Sequence, residues 1–257
     1  MTEISLPKLP NMRLDGRRAL VTGAGRGIGM AMAAGLAEVG AHATLVARSQ
    51  GEISAVTAAI VAAGGQAEAV CLDVTDLQQV EVFFEQRQGF DVLINNAGTN
   101  RPKGMMDVTE DDYDAVLNLN LKSAFFVAQA CVKKMVASNI KGSLIHIGSQ
   151  MGHVGGPNRS LYCASKWALE GMNKSLALDL ASYGIRSNTI APTFIETPLT
   201  KPFFEDPLFL RSVLSKIKLG RLGQVQDLMG AAVYLASDAS SLVTGTSIVV
   251  DGGWTAD

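Results

Sequence analysis

Short apolar runs alternate with longer helix-like segments from one end of this chain to the other. Apolar residues recur at helical spacing in the longer segments, whereas the short runs are continuously apolar and rich in Val, Ile and Ala. Buried strands separated by helices are typical of a parallel sheet covered on both faces. We therefore predict a doubly wound parallel sheet of the α/β class, as a single domain over residues 1–257. The predicted strands are 18–22, 43–47, 67–72, 92–95, 143–147, 186–190 and 247–250, and the predicted helices are 27–39, 50–63, 76–88, 110–137, 161–182 and 226–236.

Composition and charge make some classes of binding partner unfavourable, nucleic acid among them. The 257 residues carry a net charge of -2, and the pI of about 5.9 gives no basic footprint for nucleic acid. No uninterrupted apolar stretch is expected to span a bilayer, and the N-terminus lacks the basic-then-apolar order of a signal peptide. Three scattered cysteines suit a reducing cytoplasm, and the three histidines suggest no metal site.

One stretch, residues 192–219, breaks the alternation of strands and helices. It holds four prolines, four phenylalanines and mixed charges, and it has no clear strand pattern. A connection this long inside a compact domain is more often functional than idle. We predict a substrate lid near residues 193–219.

A glycine-rich turn follows the first predicted strand. The sequence from Thr22 to Gly29 places glycines at positions 23, 25, 27 and 29, directly before a helix built of small residues. Glycines in this position permit a tight turn and let a pyrophosphate approach the backbone at the helix N-terminus. The spacing Gly-x-x-x-Gly-x-Gly differs from the commonest dinucleotide fingerprint, but its strand-turn-helix context predicts dinucleotide binding.

Tyr162 and Lys166 lie four residues apart in a predicted helix, with Ser149 thirteen residues upstream. Residues i and i+4 share a helix face, so the phenol and the ammonium are expected to lie side by side. A free tyrosine has a pKa of about 10, and a nearby positive charge lowers it. The pair is therefore interpreted as a general acid/base.

These motifs, taken in order, resemble those of the short-chain dehydrogenase/reductase family. The resemblance covers nearly the whole chain and implies a Rossmann-type fold and alcohol–carbonyl oxidoreduction with NAD(P). One departure is Pro192-Thr193, where the family usually has Pro-Gly. The matching positions are Thr22 to Gly29, Asp73-Val74, Asn95 to Gly98, Asn120, Ser149, Tyr162, Lys166 and Val250 to Gly253.

The resemblance implies a role for each catalytic residue. Tyr162 would protonate the carbonyl oxygen or accept the hydroxyl proton. Lys166 would lower the pKa of Tyr162 and bind the nicotinamide ribose. Ser149 would hold the substrate oxygen, and Asn120 would position a water that links Lys166 to solvent.

The resemblance also implies the cofactor contacts. Asp73 and Val74 would flank the adenine, and Asn96, Ala97 and Gly98 would pack beside the adenosine ribose. Ile195 and Thr197 would meet the carboxamide and the phosphates. The full set of expected cofactor residues is Gly23, Arg26, Gly27, Ile28, Gly29, Arg48, Ser49, Asp73, Val74, Asn96, Ala97, Gly98, Tyr162, Lys166, Pro192, Ile195 and Thr197.

The end of the second predicted strand favours NADP(H) over NAD(H). NAD-using relatives carry an acid there, which accepts from the ribose 2′-hydroxyl and repels a 2′-phosphate. This chain has Ala47 instead, followed by Arg48, and Arg26 stands in the glycine turn. Both guanidinium groups suit a phosphate. Glu52, three residues after Ser49, is interpreted as a helix-capping acid.

Two substrate classes remain open. Expected substrate contacts at Ser149, Gln150, His153, Asn100 and Arg101 favour a small polar molecule such as a sugar, sugar acid or polyol. The phenylalanines of the predicted lid favour the alternative, a 3-oxoacyl-thioester (acyl-carrier-protein) reductase. A cofactor-binding sensor without catalysis is disfavoured because all four catalytic positions are present. The resemblance further implies a homodimer or homotetramer, with the helices near 110–137 and 161–182 packed across a two-fold axis.

Overall fold

The computed structural model describes residues 5–256, which contain a parallel sheet of seven strands in the order β3-β2-β1-β4-β5-β6-β7. The α/β prediction of a doubly wound parallel sheet is confirmed. Residues 1–4 and 257 of the predicted domain lie outside the described residues. The strands are β1 (Arg18–Thr22), β2 (His42–Ala47), β3 (Gln66–Cys71), β4 (Val92–Asn95), β5 (Ser143–Ile147), β6 (Arg186–Pro192) and β7 (Ser247–Val250).

Each predicted helix is present, and one further helix lies in the segment predicted as a lid. The π-helical turn Asn118–Lys122 joins two of the helices, and the third helix is shorter than the predicted range of 76–88. The helices are α1 (Gly27–Glu38), α2 (Gln50–Ala62), α3 (Leu77–Glu85), α4 (Glu110–Leu117), α5 (Ser123–Ala137), α6 (Ser160–Asp179), α7 (Pro207–Lys216) and α8 (Gln226–Ala236).

The core divides between the two faces of the sheet. Alternate residues of a strand point to opposite faces. Ala19 and Val21 of β1 accordingly pack into one apolar cluster with helices α1 and α8, whereas Leu20 packs into the other with α3 and α5. Both faces of the strands are therefore covered, which explains why they are continuously apolar in sequence.

The helical run Glu110–Ala137 is interrupted by the π-helical turn. An 18-residue window within its 28 residues has a mean hydropathy of 1.3, so the run is long and apolar enough to cross a membrane by length and composition alone. It is not an uninterrupted apolar stretch, because Asn118, Asn120 and Lys122 lie within it. The buried side chains Val127, Cys131 and Met135 pack against Leu93 and Leu144 of the sheet, as they would in a core helix.

Residues 193–219 contain more regular structure than the sequence indicated. A 3₁₀ turn at Lys201–Glu205 leads into α7, whose first residue is Pro207 and whose N-cap Asp206 accepts a hydrogen bond from Leu208. The ring of Phe194 lies 6.0 Å from that of Phe204 and 5.7 Å from that of Phe209. The phenylalanines thus pack on one another within the segment.

The winding of the sheet reverses between β1 and β4. Strand β1 pairs with both β2 and β4, so the chain winds outward first in one direction and then in the other. The connections that leave the carboxyl ends of β1 and β4 therefore diverge. In such sheets a crevice opens at this edge.

Candidate active site

A cleft of about 1120 Å³ lies at the carboxyl edge of the sheet. It runs from the glycine turn, past the ends of β2, β4 and β5, to the segment 192–203. The structure brings almost all predicted site residues to its wall. The exceptions are Gly29, Asn120 and His153.

The glycine turn has the shape expected of a phosphate cradle. Gly23 and Gly27 have φ of +64° and +56°, in the left-handed region that favours glycine. A Cβ on Gly23 would lie 2.9 Å from the Cα of Ala97, and one on Gly29 would lie 2.3 Å from the carbonyl oxygen of Gly23. The missing side chain of Gly29 therefore lets the start of α1 pack closely against the turn. The turn opens α1, whose first residues carry no acid, so the residues present fit a bound pyrophosphate.

The segment after β4 holds the glycine turn in place. Asn96 Nδ2 donates to the carbonyl oxygens of Thr22 and Gly23 at 3.0 and 3.1 Å. Thr22 Oγ1 accepts from the backbone N–H groups of Asn96 and Ala97 at 3.0 and 3.1 Å. These bonds join the ends of β1 and β4, so the Asn-Asn-Ala-Gly motif braces the cleft at the reversal of the sheet.

Two exposed arginines stand at the end of the cleft next to β2, each near a carboxylate. Arg48 Nη1 lies 4.0 Å from Asp73 Oδ2, and Arg26 Nη1 lies 3.5 Å from Glu52 Oε1. Ser49 accepts from the backbone N–H of Glu52 at 3.4 Å, as expected, but the carboxylate of Glu52 reaches Arg26. The interpretation of Glu52 as a capping acid alone was therefore incomplete.

Ser149, Tyr162 and Lys166 meet at the middle of the cleft. The ammonium of Lys166 lies 5.7 Å from the centroid of the Tyr162 ring and donates to the carbonyl oxygen of Ile147 at 2.7 Å. Ser149 donates to Gln150 Oε1 at 2.7 Å. Ser149 and Lys166 are both buried. The phenol, the hydroxyl and the ammonium thus share one partly desolvated site.

Burial controls the charge state of the pair. Burial raises the pKa of Tyr162, against the lowering effects of the Ser149 hydrogen bond and of the Arg159 charge. Burial also lowers the pKa of Lys166 to about 8. The ammonium of Lys166 is turned toward Ile147, and its lowering of the pKa of Tyr162 stays a prediction.

Asn120 lies behind the cleft, in the π-helical turn. Its Oδ1 accepts from the backbone N–H of Thr99 at 2.8 Å, and its Nδ2 donates to the carbonyl oxygen of Thr99 at 2.9 Å. Nδ2 also donates to Ser165 Oγ at 3.0 Å, and Ser165 donates to the carbonyl oxygen of Tyr162 at 2.8 Å. Asn120 therefore connects the loop after β4 with the helix that carries Tyr162.

The predicted substrate residues divide into two groups. Asn100, Arg101 and Gln150 line the cleft together with Ser149. His153 does not, because its Nε2 points toward β7 and lies 3.1 Å from Ser247 Oγ and 3.7 Å from Glu170 Oε1. The structure thus places His153 outside the cleft wall, and its contact with substrate stays untested.

Sequence reasoning missed several polar residues of the cleft wall, among them Arg159 and Thr193. Arg159 stands three residues before Tyr162, and its guanidinium lies 5.4 Å from the centroid of the Phe194 ring. Thr193 follows β6, and its buried Oγ1 has no hydrogen-bond partner. The position of Arg159 three residues before Tyr162 was the signal in the sequence that could have found it.

The chain is similar to known proteins over nearly its whole length. The family model described as enoyl-(acyl carrier protein) reductase matches residues 23–255. The L-xylulose reductase of Bos taurus is 34% identical over 96% of this chain and 99% of its own length. A 3-oxoacyl-[acyl-carrier-protein] reductase of Thermotoga maritima is 39% identical over 94% of this chain and 99% of its own length.

A solved structure extends the comparison to three dimensions. It is the crystal structure of a gluconate 5-dehydrogenase from Burkholderia cenocepacia J2315 in complex with NADP and tartrate. Its sequence is 37% identical to this one, the match covers 97% of this chain and 99% of that one, and the TM-score is 0.93.

Proposed function

This chain belongs to the short-chain dehydrogenase/reductase family and is an NAD(P)-dependent oxidoreductase of alcohols and carbonyls, and on that premise we propose a small polar substrate such as a sugar, a sugar acid or a polyol. The observation that carries this proposal is the single cleft that holds Ser149, Tyr162 and Lys166 together with the glycine turn. The polar wall formed by Asn100, Arg101 and Gln150 favours a hydroxylated molecule.

Tyr162 is the general acid/base of the proposed reaction. In reduction its hydroxyl donates a proton to the carbonyl oxygen, and in oxidation its phenolate accepts the proton of the substrate hydroxyl. Ser149 holds the same oxygen by a hydrogen bond and stabilises the charge that develops on it. The bound nicotinamide supplies or accepts the hydride.

Lys166 and Asn120 assist the proton transfer by Tyr162. Because burial raises the pKa of Tyr162, a nearby positive charge is needed to make the phenolate accessible. Lys166 in its protonated form supplies that charge and binds the nicotinamide ribose. Asn120 lies one hydrogen bond from Ser165 and belongs to a π-helical turn, a distortion that is frequent at functional sites. We assign it the positioning of the water that relays the proton.

Arg48 favours NADP(H). Its side chain is 76% exposed at the mouth of the cleft, and its single carboxylate neighbour is 4.0 Å away, so the guanidinium is accessible to a 2′-phosphate. Arg26 is the second phosphate ligand, partly neutralised by Glu52. The relative of known structure was crystallised with NADP.

The runner-up activity is reduction of a 3-oxoacyl thioester. It is favoured by the packed rings of Phe194, Phe204 and Phe209 beside the cleft and by the Thermotoga maritima relative. Aromatic residues of a lid also exclude water from a site whatever the substrate. We therefore rank the polar substrate first and assign residues 193–219 to a lid over one catalytic domain.

We further propose a homo-oligomer, a dimer or a tetramer, in the cytoplasm. A shallow apolar groove lies between α5 and α6, and Phe125 at its side is 40% exposed. Apolar side chains exposed in this way on paired helices suit a two-fold subunit interface.

A spectrophotometric screen tests the proposed function. Purified protein is assayed with NADPH and NADH against sugars, keto acids, 3-oxo esters and simple ketones, and with the oxidised cofactors against polyols and sugar acids. Oxidation of NADPH by polyhydroxylated carbonyls is the expected result. Turnover of 3-oxoacyl thioesters alone would contradict the polar substrate, and binding of NADPH without any turnover would indicate a sensor.

A further inference from the structure

Arg159 is a cation placed inside the substrate end of the cleft. It immediately precedes α6, is half-buried, and lines the wall beside Tyr162. Its guanidinium lies over the ring of Phe194, 5.4 Å from the centroid. Burial lowers the pKa of Arg159, but an arginine remains protonated at neutral pH. The cleft therefore contains a fixed positive charge next to the acid/base.

No described residue neutralises that charge. Within residues 5–256, no hydrogen bond or ion pair joins the side chain of Arg159 to another residue. Arg101, by contrast, lies 2.5 Å from Asp111 Oδ2 and 3.3 Å from Asp112 Oδ1. A half-buried cation without a carboxylate partner is costly, and an anion that enters the cleft relieves that cost.

The helix that follows adds to the positive potential. Helix α6 has twenty residues, no side-chain cap at its first turn and no acid there. The N-terminus of a helix carries a partial positive charge from its free N–H groups. Arg159 is the N-cap residue of this helix, so the two positive contributions coincide.

The same wall offers a hydrogen-bond acceptor for a hydroxylated molecule. Asn100 lines the cleft, and its Oδ1 is buried without a hydrogen-bond partner. A buried oxygen of this kind is normally paired. A substrate hydroxyl is a donor of the right type, so the cleft combines an anion site with a hydroxyl site.

We propose that Arg159 binds the carboxylate of the substrate, and that the substrate is a polyhydroxylated acid of the aldonate class. The planar guanidinium can donate two parallel hydrogen bonds to a carboxylate. This inference rests on the proposed function, and it selects the acid from among the sugar, the sugar acid and the polyol. It also assigns the anion site to Arg159 and not to Arg101, whose charge is already balanced.

Paired substrates test the proposal on the wild-type protein. Aldonates and alditols of equal carbon number and matching hydroxyl stereochemistry differ mainly in the carboxylate. Tartrate and threitol serve as the corresponding pair of inhibitors. We expect the aldonate kcat/KM to exceed that of the alditol at least about 10-fold, and tartrate to inhibit more strongly than threitol. Raising the ionic strength should weaken aldonate binding and leave the alditol unaffected.

Variants of Arg159 locate the anion site. Arg159→Gln should lower kcat/KM for aldonates about 10- to 150-fold, mainly through KM. The loss on alditols should be smaller and fall on kcat, because the Arg159 charge also lowers the pKa of Tyr162. Arg159→Lys should retain part of the preference. Arg13→Gln, a remote exposed position, is the matched control and should behave as wild type. NADPH binding by fluorescence verifies that each variant is folded.

The possible failures are distinguishable. Equal turnover of aldonates and alditols by the wild type, or an equal loss on both in Arg159→Gln, would overturn the carboxylate assignment and leave the proposed function intact. Loss of the preference in Arg101→Gln alone would move the anion site to Arg101 and also overturn the assignment. Absence of turnover on every carbonyl and alcohol would overturn the proposed function itself. If Arg159→Gln does not fold, the wild-type substrate and inhibitor pairs still decide.

Discussion

Burial of single titratable groups sets the chemistry of this cleft. Tyr162 and Lys166 are both driven toward their neutral forms, the phenol by a raised pKa and the amine by a pKa lowered to about 8. Near neutral pH the phenol therefore keeps its proton, and the amine is charged below about pH 8. Lys166 retains one hydrogen bond, to the carbonyl oxygen of Ile147, which fixes its position below the ring of Tyr162.

His146 makes stability depend on pH. It is fully buried in β5, its Nδ1 lies 3.3 Å from Asn95 Nδ2, and its Nε2 has no hydrogen-bond partner. Burial lowers the pKa of His146 to about 4. Between pH 6.5 and 4, His146 binds a proton in the unfolded chain but not in the folded protein. The free energy of unfolding therefore falls as pH falls.

The size of this effect is about 2–3 kcal/mol at pH 4.5. Between pH 7 and pH 4.5, the wild type should lose this much more unfolding free energy than His146→Gln. Urea denaturation at the two pH values measures both losses. His42→Gln, at the partly exposed start of β2, is the control and should keep the wild-type loss. Identical pH dependence in wild type and His146→Gln would refute the assignment.

Arg48 should determine the preference for NADPH over NADH. Arg48→Gln is expected to raise the KM for NADPH about 10- to 150-fold and leave the KM for NADH nearly unchanged, because a charge-assisted bond to the 2′-phosphate is lost. Glu52→Gln releases Arg26 from its 3.5 Å ion pair and should strengthen NADPH binding. Steady-state kinetics with both cofactors measure the two effects. A wild type active with NADH alone would contradict the role of Arg48.

At the scale of elements, the start of α1 depends on the absence of one side chain. Gly29→Ala would place a Cβ 2.3 Å from the carbonyl oxygen of Gly23 and 2.5 Å from Asn96 Nδ2. The turn would have to shift, and we expect a loss of about 1–3 kcal/mol in unfolding free energy together with weaker NADPH binding.

Gly51→Ala is the matched control for this change. Gly51 also lies in the first turn of a helix, α2, and no atom lies within 4 Å of its added Cβ. Stability should rise by up to about 1 kcal/mol, because alanine favours helix more than glycine does. Thermal and urea denaturation compare the two variants. An equal response at both positions would show that the close approach at Gly29 is unimportant.

The strands and most helices were predictable because each leaves a local pattern. Strand β5 is continuously apolar from Leu144 to Ile147 except at His146, and it lies where the pattern placed it. Helix α7 was missed because Pro207 and the neighbouring phenylalanines suggested an irregular lid, whereas Pro at the first position of a helix is well tolerated. The π-helical turn at Asn118–Lys122 leaves no periodicity of its own.

Sequence motifs predicted which residues belong to the candidate site. Tyr162 and Lys166 were identified by their spacing together with the family resemblance, and Ser149 was identified by the resemblance. The structure places all three in one cleft. The directions of their side chains could not be predicted from the sequence. His153 turns toward Ser247, and Glu52 reaches Arg26, because tertiary neighbours decide between rotamers that sequence leaves equivalent.

At the scale of the whole molecule, the site exists because the sheet reverses direction between β1 and β4. The glycine turn follows β1, the Asn96 brace follows β4, and Ser149 follows β5. Carboxyl ends of parallel strands share one edge, so residues more than a hundred positions apart converge there. The first turns of helix α6 bring Tyr162 and Lys166 to the wall of the cleft at that edge.

The central claim, that Tyr162 is the acid/base of a nicotinamide-dependent reaction, is tested most directly by Tyr162→Phe. The control is Tyr183→Phe, because Tyr183 is 52% exposed and lies outside the cleft wall. NADPH affinity is measured by fluorescence, and kcat is measured with the best substrate of the screen. We predict that Tyr162→Phe binds NADPH like the wild type and loses about 10²- to 10⁴-fold in kcat, while Tyr183→Phe is unchanged. Comparable kcat in wild type and Tyr162→Phe would contradict the claim.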